Sequence, residues 1–316
     1  MYNFIRQDYN INEESLLIIG LGDSFTEGQG ALSDKTWAKY NHSTWERGQD
    51  LRKNEVVEEL ENSWVYKICK NHFPQYTPIN FGFRGKGNKN AFKNLTTLNP
   101  ELNIPIAKDI IVIAFLTDMV RYDYINDPYI NKDRHNYYTA MWPHNPEENM
   151  KDWKKRLWEG YRDGLWSDLF GVVEFLINLQ DLKNWCNLYG AKLLVTSAFS
   201  PEYTEDYFKF HLKSSSYTPL LDIIDWKKDF YYPDGYNCFT DVLCKKEGWE
   251  KWIGTRNWYA ETQEKFGSPG GWFTPCAHPS VKGHELIASY LAKEIESRFG
   301  VLEGPKSTLK HSKQLI

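Results

Sequence analysis

The stretch "LLIIGLGDSFTEGQGA", residues 16–31, decides how the rest of the chain is read. Its first seven residues, Leu16–Gly22, are almost wholly apolar and stop abruptly at Asp23-Ser24. An apolar run without polar alternation is the pattern of a strand covered on both faces. The same pattern recurs outward along the chain in "TPINFGF" (77–83), "DIIVIAFL" (109–116) and "AKLLVTSAF" (191–199). Helical spacing lies between and after them, in 62–73, 167–190 and 280–300; the last two stop at Gly190 and Gly300. Strands alternating with helices predict an α/β fold with a parallel sheet and helices on both faces. Ligands of such sheets sit beyond the carboxyl ends of the strands, which sets Ser24, Gly85 and Thr117 along one rim.

The remaining composition narrows the function class. A net charge of −4 over 316 residues supplies no electrostatic reason for a nucleic-acid or anionic-membrane partner. Five cysteines (Cys69, Cys186, Cys238, Cys244, Cys276) are odd in number and lack CxxC spacing, which argues against a disulfide framework or structural zinc. The opening "MYNFIRQDYNINEES" has no apolar h-region, and no apolar run reaches about 18 residues, so neither a signal peptide nor a membrane span is expected. Two segments, 119–164 and 201–273, break the alternation and are rich in Tyr, Trp, Asn, Asp and Pro. They read as insertions at the rim of one domain over 1–304, with 305–316 as a loose polar tail.

Ser24 has two readings: a helix cap or turn residue, or a nucleophile beside the unpaired N–H groups of a helix start. The α/β-hydrolase elbow G-x-S-x-G is absent, since Thr26 stands two past Ser24. A nucleophilic serine needs a base, and His278 in "FTPCAHPSVKGHELIA" is the best placed of eight histidines. With Pro279 suited to a first helical position, His278 falls at a helix N-terminus, where the dipole disfavours imidazolium. His284, inside the same helix, reads as structural. "GFRGKG" fails as a phosphate loop, lacking the first Gly spacing and the final hydroxyl.

Taken together, "GDSFTEG" (22–28), "NFGFRG" (80–85) and "HPSVKGHELIASYL" (278–291) resemble the ordered blocks of the SGNH (GDSL-type) hydrolases. The resemblance covers about 15–118 and 274–300. It implies a flavodoxin-like three-layer sandwich and an ester hydrolase that needs no metal or organic cofactor. It further implies Ser24 as nucleophile, His278 as base, and an oxyanion hole from Ser24, Gly85 and the third-block residue.

The chain departs from that pattern twice. Thr117 in "FLTD" stands where the family has Asn, and losing an oxyanion donor costs about 2.7–4 kcal/mol of transition-state stabilisation. Pro275 stands where the acid that orients the histidine is expected, so either a backbone carbonyl serves or an acid comes from the second insertion. Asp222, Asp225 and Asp241 are the candidates. Asp23, Asp118 and Arg121 are the polar groups expected to face a substrate, with pairing of Arg121 to a neighbouring Asp as its structural alternative.

Aromatic rings interleaved with Asn, Asp and Gly in 122–146, 230–239 and 248–273 suit sugars, or else pack the loops onto the body. The expected activity is therefore hydrolysis of a small-molecule or glycan ester, foremost an O-acetyl group on a carbohydrate. A glycan-binding or structural protein that has lost catalysis is the competing class, and a lipase or thioesterase the third. A cytoplasmic or virion-associated location follows from the missing export signal.

Overall fold

The structure is a computed structural model that describes residues 5–7, 11–37, 53–98, 102–125, 138–141, 152–213, 215–249, 271–274, 278–304 and 313–315. Its centre is a four-stranded parallel sheet of β1 (Leu16–Gly22), β2 (Thr77–Gly82), β3 (Asp109–Leu116) and β4 (Lys192–Ser197), in spatial order β2-β1-β3-β4. Leu17 stands opposite Thr77 on one side and Ile110 on the other; Ile111 stands opposite Lys192. Phe230 bridges Val195 in parallel, extending the sheet by one short rung beyond β4. This is the α/β architecture the apolar runs predicted, and the strand order is that of flavodoxin-like sheets.

The runs are apolar throughout because the two faces of each strand enter different cores. Leu17, Ile19 and Leu21, with Ile110, Val112 and Ala114, pack under Phe92, Leu95, Val172, Phe175, Leu176, Leu179 and Leu182. Those partners come from α4 (Asn88–Lys93), the turn after it, and α5 (Asp168–Leu188). Leu16 and Ile18, with Ile111, Ile113 and Phe115, pack against Trp64, Val65 and Ile68 of α3 (Trp64–Asn71) and Ile287, Leu291 and Ile295 of α8 (Val281–Phe299). Period-two alternation is present in the side-chain directions but hidden in the sequence, since both directions lead inward.

The first insertion contains an antiparallel pair, Tyr122–Ile125 with Tyr138–Met141, and a helix Asp152–Gly160. The second contains α6 (Glu205–Leu212), a 3-10 turn Thr218–Ile223 and α7 (Phe239–Glu247). Within 230–239, Phe230, Cys238 and Phe239 are buried and the Tyr232 hydroxyl donates to the Tyr203 carbonyl, so this stretch packs onto the body. Most of 126–151 and all of 250–270 lie outside the described residues. Near the ends of the chain, Lys313–Leu315 pairs antiparallel with Ile5–Gln7.

The four described free cysteines, Cys69, Cys186, Cys238 and Cys244, are all buried. Burial raises their thiol pKa values, to about 12 for Cys186, Cys238 and Cys244, which disfavours the reactive thiolate. Among the described residues no helix is long and apolar enough to cross a membrane.

Candidate functional site

Ser24 stands two residues past β1 and opens α1 (Ser24–Glu27), a single turn. Asp23 caps that turn, its Oδ1 accepting the Phe25 N–H at 3.0 Å. His278 arrives from the other end of the chain, 254 residues away, and its Nε2 lies 2.8 Å from Ser24 Oγ. The imidazole also rests against the Phe25 ring, with centroids 5.1 Å apart.

The loop that carries His278 is stapled to the strand-like segment before it. The Thr274 N–H donates to the His278 carbonyl at 2.8 Å, and the Ser280 N–H donates to the Trp272 carbonyl at 2.9 Å. The Ser280 hydroxyl donates to the Gly271 carbonyl and accepts the Gly283 N–H, which makes Ser280 the cap and Val281 the first residue of α8. Pro279 is therefore not the first helical residue; it bridges Phe273, and His278 precedes the cap by two. His284 is fully buried. Its Nδ1 accepts the Trp64 N–H at 3.2 Å, and burial, with the neighbouring His278 and Lys67, lowers its pKa to about 3.

Gly85 lies in the turn after β2, where the Lys86 N–H donates to the Phe83 carbonyl. Its φ of +68° is the left-handed region, and nothing lies within 4 Å of where a Cβ would stand. Backbone conformation, not crowding, calls for glycine there. Gly82 is the reverse case, since a Cβ on it would fall 2.2 Å from the Glu27 nitrogen. That close approach seats α1 on the end of β2, and Asn80 secures it by donating to the Thr26 carbonyl at 2.8 Å while accepting the Gly82 N–H.

The Thr117 hydroxyl donates to Asp23 Oδ2 at 3.0 Å, so its one proton is engaged by that carboxylate. Its main chain is held by Asn88, whose Oδ1 accepts the Thr117 N–H, and by the Tyr203 hydroxyl, which donates to the Thr117 carbonyl at 2.5 Å. Asp23, expected to face a substrate, is 0% exposed and engaged at both oxygens; Arg121 Nη1 also donates to its Oδ2 at 2.6 Å. Arg121 thus takes its structural alternative, with Nη1 also donating to the Lys86 carbonyl at 3.0 Å and its guanidinium over the Phe199 ring. Asp118 is half-buried, and its Oδ1 accepts the Val120 N–H.

Of the acids considered as partners for His278, two lie in the turn beside the amino side of β4. Asp225 Oδ1 accepts the N–H groups of Lys227 and Lys228, and Asp222 is exposed on the preceding turn. Both adjoin Ile223 and Asp229, which Lys183 near the end of α5 binds at 2.7 and 2.6 Å, on the amino side of β4. Asp241 lies in the first turn of α7, which the Thr240 N–H ties to the Ala198 carbonyl just past β4, on the same rim as Ser24. Pro275 lies outside the described residues.

Sequence reasoning missed Arg84, Glu27 and Glu59. Glu27 accepts both the backbone N–H (2.9 Å) and the Nε–H (3.1 Å) of Arg84, and Glu59 of the helix α2 (Lys53–Asn62) accepts from Arg84 Nη2 and from the Gly30 N–H. Burial raises both carboxyl pKa values, that of Glu59 to about 7, against the opposing pull of Arg84. Only the Arg inside "GFRG" and the acid-rich "EVVEELEN" hinted at this pairing. Among the described residues no group of three or more His, Cys, Asp or Glu could hold a metal ion.

No family model matches the chain, and no curated protein matches it in sequence. Solved structures similar to it include a psychrotrophic esterase from Pseudoalteromonas sp. (15% identity, TM-score 0.39, covering 89% of this chain and 97% of that one). A lipase/acylhydrolase from Enterococcus faecalis is similar at 14% identity and TM-score 0.38, covering 90% and 96%. A family two carbohydrate esterase from Clostridium thermocellum is similar at 13% identity and TM-score 0.39, covering 93% and 67%.

Proposed function

We propose that the chain is a serine ester hydrolase acting through Ser24 and His278, with an O-acetyl group on a carbohydrate as its substrate class. The observation that carries this reading is the 2.8 Å approach of Ser24 Oγ to His278 Nε2, between side chains that only the tertiary fold brings together. That is the reach a general base needs.

In the proposed cycle His278 Nε2 takes the Ser24 proton as Oγ attacks the acyl carbon. The oxyanion so formed is held by the main-chain N–H groups of Ser24 and Gly85. His278 returns the proton to the departing sugar oxygen, leaving acyl-Ser24. Water then attacks the acyl carbon, giving its proton to His278, which passes it to Ser24 Oγ as the acyl–Oγ bond breaks and the acid leaves. Asp241, or a main-chain carbonyl in the loop before His278, is the proposed acceptor that orients the ring. A short acyl group is favoured by the wall beside Ser24, where Phe25 packs on Phe199 with centroids 5.1 Å apart and both rings are buried. The aromatic and polar composition of the insertions favours a sugar as the alcohol.

A binding protein that has lost catalysis is favoured by one observation, the diversion of the Thr117 hydroxyl to Asp23. Turnover of p-nitrophenyl acetate and of an acetylated oligosaccharide, with fluorophosphonate labelling, separates the two. The esterase reading expects wild-type turnover and labelling, and a loss of at least about 10³-fold in kcat in both Ser24→Ala and His278→Ala. Wild-type protein that neither turns over nor labels, while Ser24→Ala still binds glycans, establishes the binding reading instead. Preference for long acyl chains in an ester series would establish a lipase.

A further inference from the structure

The esterase reading requires two main-chain N–H groups from separate turns, at Ser24 and Gly85, to converge on one oxygen. Two arginines join those turns, one on each side. Arg84 immediately precedes Gly85 and is bound twice by Glu27, the residue that closes the turn Ser24 opens. Arg121 binds the carboxylate of Asp23, immediately before Ser24, and the carbonyl of Lys86, immediately after Gly85, through the same nitrogen at 2.6 and 3.0 Å. Both side chains are nearly buried, at 9% and 7% exposure, so their charge-assisted bonds are little screened by water. At the position where a third-block side chain would supply another donor, the Thr117 hydroxyl points to Asp23 instead.

Resting on the esterase reading, we infer that Arg84 and Arg121 are positioning residues that clamp the Ser24 and Gly85 turns together, so that a two-donor oxyanion site works without a side-chain donor from Thr117. Arg84 acts from the Glu27 side and Arg121 from the Asp23 side. Each bond ends one to three residues from a proposed donor, so a change at either arginine reaches the oxyanion site through the main chain. Misplacement of reacting groups by about 1 Å can cost about 10²-fold in rate.

The test compares Arg84→Gln and Arg121→Gln with wild-type protein, using p-nitrophenyl acetate kinetics, the rate of fluorophosphonate labelling of Ser24, and thermal melting. The expected result is a fall in kcat of about 10- to 100-fold for each variant, with KM within about twofold, in protein still folded at the assay temperature. Labelling slows in parallel, because the phosphoryl oxygen uses the same two N–H groups. A purely structural role would lower the melting temperature and leave kcat of the folded protein unchanged; that result overturns the inference. A rise in KM with kcat unchanged also overturns it, by assigning the arginines to substrate contact. Should the single variants not fold, the charge-neutral pairs Glu27→Gln/Arg84→Gln and Asp23→Asn/Arg121→Gln read the same kinetic quantities. Wild type without turnover or labelling sinks the esterase reading itself, whereas active wild type with equally active variants sinks only the clamp.

Discussion

Asp23 is the residue whose neighbours explain most about the site. It caps the turn of Ser24, accepts the Thr117 hydroxyl and pairs with Arg121, all without solvent contact. Its partners lie 94 and 98 residues away, so the sequence offered Asp23 and Arg121 as polar groups facing a substrate but could not pair them with each other. The same contacts predict the behaviour of Thr117→Val. The swap leaves a buried carboxylate short of one donor, which should cost about 1–3 kcal/mol in denaturant unfolding. Turnover of the folded variant should stay within a few-fold of wild type. A loss of 10²-fold or more in kcat at unchanged stability would return Thr117 to the oxyanion role that the resemblance implied.

At the scale of elements, the end of β2 and the turn α1 behave as one unit. Gly82 allows contact between two backbones, with a Cβ there 2.2 Å from the Glu27 nitrogen and 2.6 Å from the Thr26 carbonyl carbon. Backbone cannot move aside as a flexible side chain can. Gly82→Ala should therefore destabilise by about 1–3 kcal/mol, as overpacked sites do, and should lower kcat as well, since the turn that moves carries Ser24. Melting curves and steady-state kinetics on the one variant check both parts; native kcat would show that the turn is not coupled to β2. The elements themselves were largely legible. Leu16–Gly22 and Asp109–Leu116 are the strands their apolar runs predicted, because a buried parallel strand needs no partner from elsewhere to declare itself. The first helical position that Pro279 suggested lies two residues before the observed start of α8 at Val281, because the Ser280 hydroxyl accepts the Gly283 N–H and caps the helix, a contact that no local residue pattern declared.

Across the whole molecule, two buried titratable groups pull stability in opposite directions with pH. His284 has its pKa lowered from 6.5 to about 3 by burial, with His278 and Lys67 adding to the effect. The unfolded chain takes up that proton more readily, so this contribution is present above pH 6.5 and is lost as pH falls toward 3. Glu59 has its pKa raised from 4.5 to about 7 by burial, against Arg84 and the Gly30 N–H and together with Glu27. Its contribution is present below pH 4.5 and is lost as pH rises through about 7. His284→Asn, which keeps an acceptor for the Trp64 N–H, should flatten the acid limb of a stability–pH profile. Glu59→Gln should flatten the decline between about pH 4.5 and 7. Chemical denaturation at several pH values reads both, and slopes identical to wild type would contradict the assignment.

The sequence by itself determined the sheet, its helical cover and the rim on which Ser24 and Gly85 stand. Burial of apolar runs and chain reversal at helix ends are local signals, written within a few residues of where they act. Tertiary structure decided the approach of the His278 imidazole to Ser24 Oγ, the burial of Asp23, the diversion of the Thr117 hydroxyl and the pairing of Arg84 with Glu27 and Glu59. Those are directional contacts between groups far apart in the chain. Which hydroxyl meets which carboxylate depends on the orientation that packing imposes, and no spacing of residues encodes it.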